Sequence, residues 1–185
     1  MRDLVVLALS NFTVTFFAIG LAASALAIAH HPPPRSRAVV GEALVRWYLF
    51  FPIGVAMLYN FVMHTFFGEM AAKFIGWADS PFQAEVGLAS LGFAVVAFLA
   101  LRGDWRLRFA AIAGPACFLV GAGIGHVYQI ATTHNMAPGN AGAVLYTDFL
   151  VPLIGFALLW GAYRAQQVKR PARAKPARPA VDGRT

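Results

Sequence analysis

Charge is the scarcest commodity in this chain. Only 12% of its 185 residues are Asp, Glu, Lys or Arg, where a soluble domain carries about 25%. So little charge cannot cover a water-soluble globule. Eight residues are acidic, and Asp148 is the one that stands inside a long apolar run. Cysteine is nearly missing too. The single Cys117 excludes an intrachain disulfide and any multi-cysteine metal site. Because it lies in an apolar run, its thiol is expected to be buried and inert. No H-E-x-x-H, E-x-x-H or C-x-x-C spacing occurs, and no Ser/His/Asp order stands out as a catalytic triad.

What the chain has instead is apolar length. Hydrophobic residues make up 59% and aromatics 14%, with sixteen Phe. Five apolar segments, about 4–29, 47–67, 82–101, 109–130 and 143–163, each reach or approach the roughly 20 residues that cross about 30 Å of hydrocarbon. The expected fold class is all-α: an integral membrane helical bundle of five transmembrane helices. It forms one membrane domain over 1–165, followed by a disordered basic tail over 166–185 that has no apolar content to offset its ordering. The first segment has a rival reading as a cleaved signal peptide. Its length exceeds a usual 7–15-residue apolar region and the leader M-R-D has no net positive charge, so a retained span is expected.

Local signals set the joints. Pro32-Pro33-Pro34 stops the first helix. The connector Arg35–Arg46 is expected to hold one helical turn, and Pro52 to lie near the first turn of span two. Gly68–Trp77 either lengthens that span or lies along the interface. Ser80-Pro81-Phe82-Gln83 reads as a helix start, with Ser80 as N-cap and Gln83 completing a capping box. The T-T-H-N-M-A-P-G-N-A-G stretch is a loop, with Asn140 as the expected N-cap of span five. In span four, G-A-G-I-G offers a small-residue face for close helix approach.

The basic residues then orient the bundle. Arg35, Arg37 and Arg46 flank one connection, Arg102, Arg106 and Arg108 another, and seven basic residues lie from Arg164 onward. The other two loops hold only Lys73. Five spans place the rich loops together, which predicts an N-terminus outside and a C-terminus in the cytoplasm. The basic pI therefore points to anionic lipid head groups at the tail, and to no nucleic acid.

That sidedness gathers polar groups at one outer rim: His64 and Glu69 from span two, Glu85 from span three, His126 and Gln129 from span four, Tyr146 and Asp148 from span five, with Asn140 in the loop before it. Three stripes are expected to face inward: Asn60/His64/Gly68, Gly121/Gly125/Gln129, and Asp148/Pro152/Gly155. Each group also has a plain structural reading. His64 and His126 can be packed, hydrogen-bonded residues; Glu69 and Lys73 can pair at i, i+4; Glu85 suits a helix N-terminus. Asp148 and His126 resist that reading, because an unpaired charge inside the span costs about 2.5–3.5 kcal/mol. A shared ligand-binding pocket is expected. Its occupant is a divalent metal held by His64, His126, Glu85 and Asp148, a proton, since imidazole titrates near neutral pH, or a small ligand such as a quinone or lipid head group. A b-type haem fits less well, since both histidines lie near the rim.

The strings I-G-W-A-D-S-P-F-Q-A-E-V-G, G-A-G-I-G-H-V-Y-Q and A-P-G-N-A-G-A-V-L-Y-T-D resemble a family of small bacterial multi-span membrane proteins classed as a domain of unknown function. The resemblance covers about Tyr59–Leu159 and leaves out the first span, the connector and the tail. It implies a bacterial inner-membrane protein and supplies no reaction. Two other classes stay open beside the ligand-binding reading. One is an accessory subunit, homo-oligomeric or part of a membrane complex, whose polar groups only lock helices; the other is a membrane enzyme acting on lipid or quinone.

Overall fold

A computed structural model describes residues 1–168, and among these every regular element is a helix. In chain order they are α1 (Arg2–Ser10), α2 (Phe12–His30), α3 (Arg37–Tyr48), a π-helical segment (Leu49–Val55), α4 (Ala56–Phe66), α5 (Gly68–Ile75), α6 (Phe82–Ala100), α7 (Trp105–Thr133), α8 (Pro138–Ala141) and α9 (Ala143–Val168). Five helical stretches are long and apolar enough to cross a membrane: Phe12–His30, Arg37–Phe66, Phe82–Ala100, Trp105–Thr133 and Pro138–Gln167. The all-α, five-span architecture expected from the sequence is what the chain forms. The tail expected from residue 166 begins inside α9, and the rest of it lies outside the described residues.

The boundaries differ from expectation where tertiary packing overrides local signals. The connector is not a single turn: α3 runs without a break through the π segment into α4, a helical run of 30 residues. Pro52 is therefore central rather than at a first turn. Proline removes one N–H and its ring collides with the carbonyl four residues back. The π register around it, Leu49–Val55, widens the turn and keeps the helix going. Gly20 of α2 makes room for this segment, since a Cβ there would lie 3.0 Å from Pro52 Cδ and 3.1 Å from the Trp47 carbonyl. Cys117 is exposed on the outer face of α7 rather than buried.

Apolar contacts hold the helices side by side. α4 packs on α6, α7 on α9, and α3 on both α2 and α9. The core, with Val45, Leu49, Ile53, Ala97, Ala111 and Ile112 at 1% exposure or less, lies between α3, the π segment, α6 and α7. Many large side chains, Leu88, Leu99, Ile124, Leu153 and Trp160 among them, point outward and are more than half exposed. This inversion suits lipid as solvent. Some of the polar side chains that enter the core are spent on helix carbonyls: Tyr48 Oη donates to Val151 O at 2.6 Å, passing Gly155, where a Cβ would sit 2.5 Å from the Tyr48 hydroxyl oxygen.

One strong polar contact was not foreseen. Arg108, 8% exposed in the first turn of α7, donates through both terminal nitrogens to the Glu42 carboxylate of α3, each at 2.6 Å. It also donates to the carbonyls of Ala100 and Leu101 at 3.3 Å, tying the C-terminus of α6 into the same knot. By sequence alone Arg108 is one of three arginines in the turn between spans three and four. Arg102 and Arg106 still carry the sign of that loop.

Candidate functional site

Two buried ionisable side chains meet at one end of the bundle. His126 lies seven residues before the end of α7, and Asp148 five residues after the start of α9. Since α7 and α9 are joined by a short loop and pack antiparallel, both residues sit about 8–10 Å in from the same helix ends. Gly123 permits the approach, because a Cβ there would be 3.2 Å from Asp148 Cβ and 2.8 Å from the Phe149 ring. His126 is 4% exposed and Asp148 2%. Their Nε2 and Oδ2 atoms stand 3.6 Å apart, beyond hydrogen-bond range. Asp148 Oδ2 has no hydrogen-bond partner among the described residues. A buried carboxylate oxygen left unsatisfied costs about 1–3 kcal/mol, more when charged.

A polar cap closes over the pair. Gly76 ends α5 in the left-handed conformation (φ 76°), which glycine adopts without strain. It turns the chain so that the Trp77 ring lies against His126, with centroids 5.5 Å apart. The Trp77 indole N–H donates to Asn140 Oδ1 at 3.2 Å. Asn140, fully buried in α8, also faces His126 Nδ1 at 2.8 Å. Asn135 donates to the carbonyls of Ile75 and Gly76 at 3.0 and 3.2 Å, joining the two loops. Asn140 is thus not the N-cap expected of it but the centre of a tertiary network.

The other residues singled out in the sequence go elsewhere. The Asn60/His64/Gly68 stripe does face inward, against α6. Asn60 donates to Ser90 Oγ at 2.9 Å, and His64 Nδ1 lies 2.5 Å from Gln83 Oε1. Gln83 therefore serves His64 rather than a capping box: α6 has no side-chain cap, and Ser80 offers only its carbonyl, to the Gln83 N–H. Glu69, Glu85 and Tyr146 are exposed. Gln129 accepts from Thr133 within its own helix. Among the described residues no three of His, Cys, Asp or Glu stand close enough to hold a metal ion. His64, His126, Glu85 and Asp148 are thus divided between separate surroundings. With Asp148 Oδ2 at 3.6 Å from its Nε2, His126 has no room for a haem iron at that nitrogen.

Asp148/Pro152/Gly155 is buried as a face. In span four the close-packed glycine is Gly123, while nothing lies within 4 Å of a Cβ placed at Gly121. Two surface clefts lie away from the His126–Asp148 pair. One, of about 490 Å³, opens between the α1–α2 joint at Asn11 and Ala143; the other, about 160 Å³, borders Glu42 and Arg108. Trp77 and Asn135 escaped the sequence reading as site residues. Their one signal was membership of the I-G-W and H-N-M-A-P-G-N strings.

No curated protein and no solved structure matches this chain. A family model does, and it begins earlier than the resemblance read from the sequence, taking in almost all of the first span and the connector. The chain belongs to the family of unknown function DUF6790, whose model matches residues 10–168.

Proposed function

We propose that this is a multi-pass protein of the bacterial inner membrane that takes up and passes on protons through the His126–Asp148 pair. Asp148 Oδ2 carries the reading: it is buried, without a hydrogen-bond partner among the described residues, and turned toward an imidazole nitrogen at 3.6 Å. A lone carboxylate at this place leaves a charge uncompensated. One proton between the two groups makes the pair neutral, whichever of them holds it. A divalent cation would leave net positive charge on two protein ligands, fewer than the three that catalytic metal sites supply. Intramembrane acids and histidines are the usual carriers of proton relays.

The arginine-rich loops and the basic tail lie on the cytoplasmic side in this reading, with anionic lipid head groups against the tail. The pair then lies toward the outer side, beneath Trp77. In a Cys117→Ser background, Asp79→Cys and Ala137→Cys are expected to react with an impermeant maleimide on intact cells. Reaction only after the membrane is opened would reverse the orientation.

The test of function is proton uptake into liposomes holding the purified full chain and a pH-sensitive dye, driven by a potassium diffusion potential. Wild-type protein is expected to pass protons above the protein-free background; Asp148→Asn and His126→Gln are expected to fall to it. Wild-type uptake at background, or undiminished uptake in Asp148→Asn, overturns the reading. Stability separates function from packing. Asp148→Asn can set an amide N–H toward Nε2 where Oδ2 has no hydrogen-bond partner among the described residues, so its melting temperature in detergent should equal or exceed that of wild type.

An accessory, helix-locking role is the second reading. It is favoured by the satisfied Asn60–Ser90 and His64–Gln83 pairs across α4 and α6. Under it, Asp148→Asn lowers stability or assembly.

A further inference from the structure

We propose that Asn140 is a positioning residue that fixes the tautomer of His126, and with it the nitrogen through which the pair exchanges its proton. This rests on the proton reading above.

Hydrogen-bond parity decides which ring nitrogen carries the hydrogen. Asn140 Nδ2 donates to the backbone carbonyls of Asn135 at 2.9 Å and His126 at 3.4 Å. Turning the amide over would set its oxygen against both carbonyls, so its orientation is decided. Oδ1 then receives the Trp77 indole N–H, which can only donate. The same oxygen lies 2.8 Å from His126 Nδ1. An acceptor cannot face a ring lone pair at that distance, so Nδ1 carries hydrogen. In the neutral ring the lone pair is left on Nε2, the nitrogen turned to Asp148.

A lone pair facing a carboxylate is repulsive, and one proton between them removes the conflict. Either Oδ2 holds it as a carboxylic acid beside neutral imidazole, or Nε2 holds it as imidazolium beside carboxylate. The proton moves between those two atoms while the Nδ1 hydrogen stays. Among the described residues, Asp148 of α9 is the titratable group facing the ring. α8 contributes the Asn140 amide and the turn after α5 the Trp77 indole, both neutral. Without an acceptor at position 140, the neutral ring gains by moving its hydrogen to Nε2 and donating to the Asp148 carboxylate. That blocks Nε2 as the receiving atom.

The experiment reads the side-chain nitrogens of His126 by solid-state NMR on histidine-labelled full chain in bilayers, beside the liposome assay. Wild type is expected to show Nδ1 protonated and the exchanging proton at Nε2. Asn140→Leu is expected to move the neutral-ring hydrogen to Nε2 and to slow proton uptake about tenfold or more. Asn140→Asp keeps an acceptor facing Nδ1 and is expected to keep the hydrogen there. If Asn140→Leu does not fold, Trp77→Phe decides in its place: it leaves Oδ1 to His126 alone, so Nδ1 must stay protonated. An Nε2–H tautomer in wild type or Trp77→Phe, or an unchanged tautomer in folded Asn140→Leu, overturns the inference. Full uptake by Asp148→Asn alongside an Nδ1–H wild type would sink the proton reading and leave the tautomer assignment standing.

Discussion

Glu42→Ala is expected to cost the folded protein about 3 kcal/mol, among the largest losses from any single polar truncation in this chain. The substitution removes the anion from a guanidinium that is 10% exposed and cannot shed its proton, leaving a buried cation. Breaking a buried pair in this way costs about 3–5 kcal/mol, and the 40% exposure of the Glu42 side chain sets the expectation at the lower end. Arg108 would keep its bonds to the Ala100 and Leu101 carbonyls, which is why the loss is not larger. Two parallel hydrogen bonds of 2.6 Å also fix geometry, so a lysine at 108, with a single point of charge, is expected to rescue poorly. The double replacement Glu42→Leu/Arg108→Met should recover much of the stability, because neither charge is then desolvated. Denaturant titration in detergent micelles measures all three against wild type. A Glu42→Ala loss under about 0.5 kcal/mol, the size of an exposed pair, would mean that water reaches Arg108 freely.

That pair also shows where sequence reasoning stopped. Arg108 could be read as a loop charge because loop charge is a property of the chain alone. Its burial depends on α3 lying beside the start of α7, which no local signal encodes. The spans themselves were legible, since apolar length against a fixed bilayer thickness needs no tertiary information. Asp148 and His126 were legible for the same reason: each is a polar residue in apolar sequence, and the cost of leaving it unpartnered can be read without a structure. Their partners could not be read. Asn140 looked like a helix cap and Gln83 like half of a capping box, because both motifs are defined over four residues of one chain segment. The fold spends both side chains across segments instead, on His126 and His64. Pro52 misled in the opposite direction, as a rule about proline at helix starts met a π turn able to absorb it. The single outer pocket expected from sidedness separates into an α4–α6 lock and an α7–α9 pair. Depth places residues in a layer; rotation of each helix about its axis decides which of them meet.

Helix rotation can be tested directly within G-A-G-I-G. Periodicity marks this stretch as a small-residue face and cannot say which glycine lies at the contact. The structure separates them by two residues. A Cβ at Gly123 would lie 2.8 Å from two Phe149 ring atoms and 3.2 Å from Asp148 Cβ, whereas one at Gly121 meets nothing within 4 Å. Gly123→Leu must therefore push α9 away from α7 or drive Phe149 from its place. Overpacking of this kind costs about 1–3 kcal/mol, occasionally more. It also widens the gap between His126 Nε2 and Asp148 Oδ2, already 3.6 Å. Proton uptake is therefore expected to fall to background even in protein that still folds. Gly121→Leu adds an apolar side chain to an open outer surface and relieves a poor helix former, so stability should hold or rise slightly and uptake should stay at the wild-type level. The two variants differ only in position along one turn of one helix. Equal losses would show that α7 is rotated from the orientation described, and that the pairing of His126 with Asp148 is wrong with it.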